Sequence, residues 1–381
     1  MFVLDYCISV FLTISFAFGA LAIIYGWWKT PIYRARPGWL DYIKVSIIIA
    51  ARNEEDTIPL ILADLLAQDY PSEFMEIIVV DDHSNDSTAL KVLEFEKFGV
   101  KLIQLNESNA LNSYKKKAIS VAIDQSKGEF ILTTDADCRM GPKWVKTMTQ
   151  FYREGEYKMV SAGVAFLEDG SPFQKFQSME FSMLIGLGAA AIQIGNPFTC
   201  NGANLGYSKS AFYELGGFKG IDDLASGDDE LLLHKVASHF PGKIGFVKSR
   251  DALIFTHAKT YISEFIKQRR RWASKSVKYR NRRMIIFSVG AFFFNAFILL
   301  NFILGLFFPE LRPLFLVQIG TKIVLELFIM APVLKFMGQL KFLIHSLILL
   351  PIYFIAYIFY IVYIGIVGNS GKYEWKGRMV R

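Results

Sequence analysis

Apolar residues are concentrated in the first thirty positions and after Met284, and the stretch between these zones has the composition of a globular domain. No charged residue occurs from Tyr6 to Trp28, a run long enough to cross a hydrocarbon core of about 30 Å. A signal peptide would need a basic segment before this run and a small-residue cleavage site after it, but only Asp5 precedes it. Residues 1–28 are therefore predicted to form an uncleaved transmembrane anchor.

Basic residues at the ends of the apolar segments predict which side of the membrane the middle of the chain faces. Trp27 and Trp28 end the anchor, and the juxtamembrane linker of residues 29–44 then carries several Lys and Arg side chains. A second basic run, from Lys275 to Arg283, precedes the next apolar segment. Because short segments rich in Lys and Arg stay in the cytoplasm, the domain between them is expected there. This placement also accounts for the net charge of +7 without nucleic acid as a partner.

The C-terminal region of residues 284–371 is expected to contain two or three membrane helices. Its apolar stretches cover about 284–307, 313–334 and 341–367, and a basic tail of residues 372–381 follows. The middle stretch has a polar residue at every fourth position, which places three side chains on one helix face: Gln318, Lys322 and Glu326. If this stretch spans the membrane, that face should meet the bundle interior or a path for a lipid substrate. If it lies on the surface, the tail returns to the cytoplasm.

Between residues 45 and 137, short β-branched runs alternate with helical patterns, which predicts an α/β sheet with right-handed crossovers. The predicted strands cover 45–51, 76–80, 100–105 and 130–134, and the predicted helices cover 57–68, 87–97 and 113–126. Ligands of such sheets bind beyond the carboxyl ends of the strands. Polar clusters follow three of these ends: Arg52-Asn53-Glu54, Asp81-Asp82 and Asp135-Ala136-Asp137.

Each acidic cluster has a structural interpretation beside a functional one. Asp135 and Asp137 can bind one hard divalent cation, which also accepts phosphate oxygens, or they can form a turn before the next helix. Asp81 and Asp82 can accept hydrogen bonds from a base or a ribose, or they can belong to a helix-capping turn. The run Gly227-Asp-Asp-Glu230 can supply a general base for a hydroxyl group, or it can cap a helix.

Two further segments are ambiguous in the same way. Gln268-Arg-Arg-Arg-Trp272 lies beside a membrane segment and suits a basic, aromatic membrane anchor. It also suits a ligand site, because arginine can bind a diphosphate bidentately and an indole can stack on a sugar ring. Phe173–Ile194 mixes aromatic and polar residues, which fits either a core helix or an amphipathic helix at the lipid interface.

Taken in order, these motifs resemble those of family 2 of the inverting GT-A glycosyltransferases, especially the membrane-bound branch with cellulose, chitin and hyaluronan synthases and ceramide glucosyltransferase. The resemblance extends from about Val45 to Trp272 and has a membrane segment on each side. Its pieces are Ala51-Arg-Asn-Glu-Glu55, Asp81-Asp-His-Ser84, Asp135-Ala-Asp137, Gly227-Asp-Asp229 and Gln268-x-x-Arg-Trp272. It implies a GT-A domain over residues 45–283, with a mixed, mostly parallel α/β sheet and interfacial helices, flanked by transmembrane helices.

The resemblance also implies roles in a metal-dependent, inverting sugar transfer. The nucleotide sugar, with a UDP-sugar favoured, would be bound by Ala51, Arg52, Glu54, Asp81, Asp82, Lys117, Asp135 and Ala136. Asp135 and Asp137 would bind Mg²⁺ or Mn²⁺ on the diphosphate. Asp229 would be the general base, with Asp228 as the second candidate. The acceptor and diphosphate end would be lined by Asn201, Gly202, Gln268, Arg271 and Trp272.

Two positions depart from the family pattern. Where the family often has Gly-Lys-Ala before the strand that carries the aspartates, this chain has Lys116-Lys117-Ala118, so Lys117 is the candidate phosphate or nucleotide contact. His83 replaces the more usual Gly after the aspartate pair, and a solvent-facing turn is expected there. His257, just ahead of Gln268, could approach the metal, but a structural role is expected for it.

The resemblance leaves the acceptor open. A lipid or short-glycan acceptor is favoured, because few spans leave little room for a translocation channel, and a processive polysaccharide synthase is the alternative. A non-catalytic membrane protein that binds nucleotide sugars is a third candidate. The chain is expected in a bacterial inner (cell) membrane, with membrane lipids around its helices and its catalytic domain in the cytoplasm.

Overall fold

The computed structural model describes residues 2–106, 113–167, 170–224, 226–279, 281–368, 373–375 and 378–380. The chain divides into two compact units. The helical unit comprises Met1–Lys29, Asp169–Ala190 and Lys259–Gly371, and the sheet unit comprises Thr30–Glu168, Ala191–Ala258 and Lys372–Arg381. Of the basic tail predicted at residues 372–381, residues 372, 376, 377 and 381 lie outside the described residues.

The elements follow the predicted alternation of strand and helix. The helices are α1 (Phe2–Lys29), α2 (Ile58–Leu66), α3 (Thr88–Leu93), α4 (Tyr114–Gln125), α5 (Trp144–Glu154), α6 (Pro172–Gln193), α7 (Lys209–Glu214), α8 (Glu230–His239), α9 (Ile262–Ser274), α10 (Arg282–Phe307), α11 (Arg312–Met337), α12 (Leu340–His345) and α13 (Leu350–Val367). The strands are β1 (Val45–Ala51), β2 (Met75–Asp81), β3 (Val100–Gln104), β4 (Phe130–Asp135), β5 (Arg139–Met140), β6 (Met159–Ala162), β7 (Val164–Phe166), β8 (Leu205–Ser208), β9 (Ile244–Val247), β10 (Ile254–Thr256), β11 (Tyr373–Trp375) and β12 (Arg378–Val380).

The sheet unit is built on a seven-stranded sheet in the order β3-β2-β1-β4-β8-β6-β9. β8 is antiparallel to its neighbours β4 and β6, and the other adjacent strands are parallel. β1 and β2 are buried along most of their length, as expected for β-branched strands inside a parallel sheet. The predicted mixed, mostly parallel α/β sheet is confirmed.

Strand register brings the predicted polar clusters to one edge of this sheet. Asp81 of β2 pairs with Ala51 of β1, and Asp135 of β4 pairs with Ala50 of β1. Because β8 runs in the opposite direction, its amino end lies at the edge where β4 ends, and Leu205 pairs with Thr133. The residues just before Leu205 therefore join the carboxyl ends of β1, β2 and β4.

Four segments of the helical unit are long and apolar enough to cross a membrane: Val3–Lys29, Arg282–Phe307, Pro309–Met337 and Leu347–Val367. α1 packs on α10 and α11, and α10 packs on α11 and α13. The middle C-terminal stretch is thus the continuous helix α11. Its polar face is buried, because Gln318, Lys322 and Glu326 are at most 3% exposed. Of the alternatives for this face, the structure favours the bundle interior.

α6 contains the ambiguous segment at residues 173–194. Its polar side chains Gln174, Gln177 and Glu180 are buried. Met179 packs in an apolar cluster with residues of α11 and α13, among them Met330. This burial favours the core-helix interpretation over a helix that lies at the lipid interface.

Candidate functional site

The loop after β1 is hydrogen-bonded to the loop after β2. Arg52 is buried, and its Nη1 donates to the carbonyl oxygens of Asp82 and His83, each at 2.9 Å. The backbone amide of Asn53 donates to Oγ of Ser84 at 2.9 Å. Because its guanidinium bonds to two backbone carbonyls, Arg52 stabilises the turn that carries the aspartates.

His83 occupies a backbone conformation that suits glycine. Its φ is 56°, in the left-handed region that most residues adopt only at a cost. Its side chain is partly exposed, and Nδ1 lies 3.0 Å from Oδ1 of Asp82. The turn expected at this position is therefore present, and the contact with Asp82 offsets part of the backbone cost.

Three carboxylates surround the ends of β1 and β2. Asp81 and Asp82 are buried, and Oδ1 of Asp81 accepts a hydrogen bond from the amide of Ser84 at 3.2 Å. Glu54 accepts a hydrogen bond from the hydroxyl of Thr57 at 2.9 Å. Carboxylates held in this way can accept hydrogen bonds from the hydroxyl and amino groups of a nucleoside.

Asp135 is the last residue of β4, and Asp137 follows after a tight turn in which the amide of Cys138 bonds to the carbonyl of Asp135 at 3.1 Å. Ala136 between them is buried. Across the described ranges, no group of three or more His, Cys, Asp and Glu side chains forms a complete metal site. Two carboxylates nevertheless fit Mg²⁺ or Mn²⁺, since such ions often take one or two protein carboxylates and complete their shell with substrate phosphates and water.

Asp228 and Asp229 lie at the start of α8 and have different partners. Asp229 caps the helix, since its Oδ1 accepts from the amide of Glu230 at 2.6 Å, and its Oδ2 accepts from the amide of Gly202 at 3.0 Å. Asp228 instead places Oδ2 3.3 Å from Nζ of Lys115. Asp229 is thus attached to the chain segment before β8, and Asp228 to α4.

Lys115 is a site residue that the sequence interpretation missed. Its Nζ lies 2.7 Å from Oδ1 of Asp135 in addition to its contact with Asp228. Burial alone would lower the pKa of Lys115, but the charges of Asp135 and Asp228 outweigh burial and raise the pKa above its usual value. One ammonium group therefore links the aspartate after β4 to the acidic motif before α8.

The other two lysines of α4 have different environments. Lys116 is buried, and its Nζ donates at 2.6–2.7 Å to three backbone carbonyls, those of Ile221, Leu224 and Ser226. Burial lowers the pKa of Lys116 to about 8, although nearby aspartates oppose this. Lys117, the expected nucleotide contact, is exposed and lines a pocket together with Tyr213 and Lys219. Its contact with a nucleotide stays a prediction.

The segment before β8 is hydrogen-bonded to β4 and also carries a hydrogen bond within itself. Thr133 of β4 donates its hydroxyl to the carbonyl of Gly202 at 3.1 Å, and Oδ1 of Asn201 accepts from the amide of Ala203 at 2.9 Å. A Cβ atom on Gly202 would lie 3.2 Å from Cβ of Asp229, so glycine permits this close approach. The expected acceptor-lining residues Asn201 and Gly202 thus lie beside the candidate base.

Asn204 anchors this segment, although the sequence did not single it out as a separate site residue. It is fully buried, and its Nδ2 donates to the carbonyls of Gly163 and Ala252, each at 2.8 Å. Its Oδ1 accepts from the indole nitrogen of Trp144 at 3.0 Å. These three hydrogen bonds fix the position of Asn204, and Asn204 thereby holds in place the nearby backbone of Gly202 that contacts Asp229.

Gln268, Arg271 and Trp272 lie on α9 in the helical unit and are partly buried. The guanidinium carbon of Arg269 is 4.2 Å from the ring centroid of Trp272, and Arg269 also pairs with Glu180 of α6. This packing fixes the Trp272 ring on its own helix. The approach of Gln268, Arg271 and Trp272 to the acidic residues stays a prediction.

Comparison with known proteins identifies what part of this chain is similar to. Residues 46–216 match the model of glycosyl transferase family 2. A poly-beta-1,6-N-acetyl-D-glucosamine synthase of Staphylococcus epidermidis is 26% identical over 175 residues, which are 45% of this chain and 41% of that protein. An undecaprenyl-phosphate 4-deoxy-4-formamido-L-arabinose transferase of Pectobacterium atrosepticum is 32% identical over 152 residues, which are 38% of this chain and 44% of that protein. The chain thus matches less than half the length of these curated relatives.

Among solved structures, a mannosyltransferase from Pyrobaculum calidifontis in complex with GDP-Man and Mn²⁺ has the same fold. Its TM-score is 0.54 at 17% identity, and the match covers 90% of this chain and 98% of that one. The fold is therefore of the GT-A type, as the resemblance implied. The match of residues 46–216 to the glycosyl transferase family 2 model confirms the family resemblance drawn from the motifs.

Proposed function

We propose that this chain is an inverting glycosyltransferase that moves a sugar from a nucleoside-diphosphate sugar to a hydroxyl group of a lipid or a glycan. The most direct support comes from two contacts of the acidic motif, one made by Asp228 and the other by Asp229. Lys115 contacts Asp135 and Asp228, and the amide of Gly202 contacts Asp229. The proposed diphosphate end and the proposed acceptor end thus lie within one set of connected side chains.

The nucleotide sugar, with a UDP-sugar favoured, would lie along the strand ends. Asp81 and Asp82 would accept hydrogen bonds from the nucleoside, and Arg52 would hold the turn that presents them. The full set of proposed contacts is Ala51, Arg52, Glu54, Asp81, Asp82, Lys117, Asp135 and Ala136.

Asp135 and Asp137 would hold Mg²⁺ or Mn²⁺ together with oxygens of the diphosphate. When bound, such an ion offsets the negative charge that builds up on the departing diphosphate. Lys115 adds a positive charge at the same place, because its ammonium lies 2.7 Å from Asp135. Protein residues therefore contribute to leaving-group stabilisation independently of the ion.

Asp229 would act as the general base. It takes the proton of the acceptor hydroxyl while the hydroxyl oxygen bonds to the anomeric carbon, and the bond from that carbon to the diphosphate oxygen breaks. Attack and departure on opposite faces invert the configuration. The amides of Gly202 and Glu230 orient the carboxylate for this step. Asp228 is the second candidate, but its contact with Lys115 links it to the diphosphate side.

The acceptor side would be completed by Asn201, Gly202, Gln268, Arg271 and Trp272. A lipid or short-glycan acceptor is favoured, since one relative is a transferase named for undecaprenyl phosphate. Another relative is a polysaccharide synthase, which keeps processive synthesis as the alternative. Sizing the product made from a radiolabelled nucleotide sugar would separate a single addition from a polymer.

The proposed location is a bacterial inner membrane, with the sheet unit in the cytoplasm. The four apolar helices are long enough to cross a bilayer, and the basic segments at Lys29–Arg36 and Lys275–Arg283 favour the cytoplasmic side for the residues between them. This location would give the enzyme soluble nucleotide sugars and membrane-bound acceptors at one surface.

A ligand screen tests the proposal. Full-length protein in detergent is heated with UDP- and GDP-sugars, each with and without Mn²⁺, and the melting temperature is measured. We expect one nucleotide class to raise the melting temperature, and more so with Mn²⁺, because a ligand that binds the folded state stabilises it. The Asp137→Asn variant should lose the increment that depends on Mn²⁺.

The same samples then receive candidate acceptors, and release of free UDP or GDP is measured. Stabilisation without release from any acceptor would favour the non-catalytic nucleotide-sugar-binding protein. No stabilisation by any nucleotide sugar would contradict both functions.

A further inference from the structure

Lys115 occupies the position at which a cation is most needed in this site. Its Nζ lies between Oδ1 of Asp135 at 2.7 Å and Oδ2 of Asp228 at 3.3 Å. The side chains of Lys115 and Asp228 are 20% and 13% exposed, so solvent screens their interaction only in part. A tethered ammonium thus already neutralises one of the two carboxylates proposed to hold the divalent ion.

A divalent cation at Asp135 and Asp137 would therefore meet an adjacent positive charge. The ammonium bonds directly to an oxygen of Asp135, so an ion on the same carboxylate would lie only a few ångströms from it. Like charges at such a distance repel strongly where water is partly excluded. Without a nucleotide, the ion can then bind only if Lys115 moves away or if binding overcomes the repulsion by its ammonium group.

A diphosphate reverses this balance. It brings several negative charges to the same edge of the sheet and offers phosphate oxygens to both the divalent ion and the ammonium. Lys115 is in the first turn of α4 and has a long side chain with rotatable bonds, so it can exchange a carboxylate for a phosphate without movement of the helix. Asp135 is then released to the ion.

We propose that Lys115 makes divalent-cation binding at Asp135 and Asp137 conditional on a nucleoside diphosphate. Without the nucleotide, the ammonium holds Asp135 and Asp228 together and weakens binding of the ion. With the nucleotide, the ammonium moves to a phosphate oxygen and the ion binds. This inference rests on the proposed function, since it assumes that the site takes a nucleoside diphosphate.

The two binding events are then coupled, and the coupling is reciprocal. If the nucleotide strengthens binding of the ion by a given factor, the ion strengthens binding of the nucleotide by the same factor. Removing the charge of Lys115 should make the nucleotide strengthen ion binding by a smaller factor. The main cause would be tighter binding of the ion to the site without nucleotide. A lysine that served only to bind phosphate would leave binding of the ion to the empty site unchanged.

Electron paramagnetic resonance of free Mn²⁺ tests this on the full-length protein in detergent. Mn²⁺ is titrated into wild type and Lys115→Met, without nucleotide and with saturating UDP or GDP. We expect Lys115→Met to bind Mn²⁺ in the absence of nucleotide on the order of tenfold more tightly than wild type, because a neighbouring like charge is removed. Lys115→Arg keeps the charge and should behave as wild type.

Lys127→Met is the matched control. It makes the same change of charge at an exposed lysine two residues beyond α4, whose last residue Gln125 lies roughly 15 Å along the helix from Lys115 at 1.5 Å per residue. Its Mn²⁺ affinity should equal that of wild type. Lys115→Gln, which retains a hydrogen-bond donor, serves as a second neutral variant if Lys115→Met does not fold.

The outcomes separate this inference from the proposed function. Unchanged or weaker nucleotide-free Mn²⁺ binding in both neutral variants would overturn the role of Lys115. Wild-type protein that binds neither UDP nor GDP in the presence of Mn²⁺ would instead contradict the proposed function. Tighter nucleotide-free binding in a neutral variant, with a smaller gain on adding nucleotide, supports the inference.

Discussion

Asp228 and Asp229 are neighbours in sequence, yet their surroundings suit different tasks. Both oxygens of Asp229 accept hydrogen bonds from backbone amides, those of Gly202 and Glu230, which orient the carboxylate without neutralising it. Asp228 faces the ammonium of Lys115. Asp229 is thus oriented by the backbone before β8 and at the start of α8, whereas Asp228 is paired with a side chain of α4.

The first residue-scale prediction concerns the base. We expect Asp229→Asn to lower turnover by about 10²–10⁴-fold, the usual effect of losing a general base, while nucleotide-sugar binding changes little. An Asn amide presents a donor to one of the two backbone amides, so the melting temperature should also fall, by an amount that corresponds to about 1 kcal/mol. Steady-state rates of UDP or GDP release at saturating nucleotide sugar measure the effect.

Asp228→Asn is the matched control for this prediction. It changes the adjacent carboxylate in the same way and should retain more turnover at saturating nucleotide sugar, since Asp228 pairs with Lys115 whereas Asp229 accepts the hydrogen bond of the Gly202 amide. Near-normal turnover of Asp229→Asn, or a larger loss in Asp228→Asn, would exclude Asp229 as the base.

At the scale of elements, α4 distributes three consecutive lysines to three environments. Successive helical residues point about 100° apart, so Lys115 can reach the acidic residues, Lys116 the carbonyls before α8, and Lys117 the exposed pocket. The rotation of α4 is set by its apolar face, since Ala118 and Ile119 are buried against the sheet. The packing of α4 thus decides which of its three lysines contacts the acidic residues.

α6, α9 and α13 meet at a buried ion pair. Arg269 of α9 and Glu180 of α6 are each 2% exposed, with Nε 3.0 Å from Oε1. The hydroxyl of Tyr360 on α13 also bonds to Glu180, at 3.2 Å. The guanidinium of Arg269 lies between the rings of Phe265 and Trp272. The pair therefore positions Trp272 on α9.

The element-scale prediction removes one partner of this pair. Glu180→Gln leaves Arg269 buried without its counter-charge, which should destabilise the helical unit by roughly 3–5 kcal/mol. Thermal unfolding in detergent, followed by tryptophan emission, should show a lower transition and an altered environment of Trp272. The double variant Glu180→Gln with Arg269→Met removes both charges and should recover part of the loss. A single variant as stable as wild type would contradict this account.

At the scale of the whole molecule, several polar residues of the helical unit are buried between its long helices. Lys322 and Glu326 form an ion pair one turn apart on α11, and both are buried. Asn301 of α10 bonds to Gln318 of α11 and to Ser9 of α1, each at 2.8 Å. Polar side chains in membrane helices are costly in contact with lipid, so a shared interior fixes which faces of α1, α10 and α11 meet.

The end of α13 lies beside α9 within this unit. A Cβ atom on Gly368 would be 2.6 Å from Cβ of Ala273, and Tyr360 packs against Phe265 at 5.4 Å between ring centroids. The chain thus leaves α13 near the segment that precedes α10, where the basic run Lys275–Arg283 begins.

The whole-molecule prediction concerns the ion pair of α11. Lys322→Met leaves the carboxylate of Glu326 buried without its partner and should cost roughly 3 kcal/mol of stability. The double variant Lys322→Met with Glu326→Met should be more stable than either single variant, because no unpaired charge remains. Unfolding by titration with a denaturing detergent measures the three stabilities. Losses that simply add in the double variant would show that the two residues do not act as a pair.

The sequence by itself was enough to separate the apolar ends from the α/β middle and to locate the polar clusters at the strand ends. The bounds of β1, β2, β4 and α4 agree with the prediction to within a few residues. The reason is local: β-branched runs form buried strands, and the carboxyl ends of adjacent parallel strands share one edge. The buried face of α11 was likewise visible as a repeat of four.

Only the tertiary structure decided which side chains meet across long sequence separations. Gly202 contacts Asp229 because β8 runs against β4, and Glu180 contacts Arg269 although 89 positions separate them. Lys115, which the sequence did not single out, lies beside the acidic residues because packing sets the rotation of α4. The direction of β8 and the rotation of α4 depend on how the whole core is buried, so they cannot be predicted from a local sequence pattern.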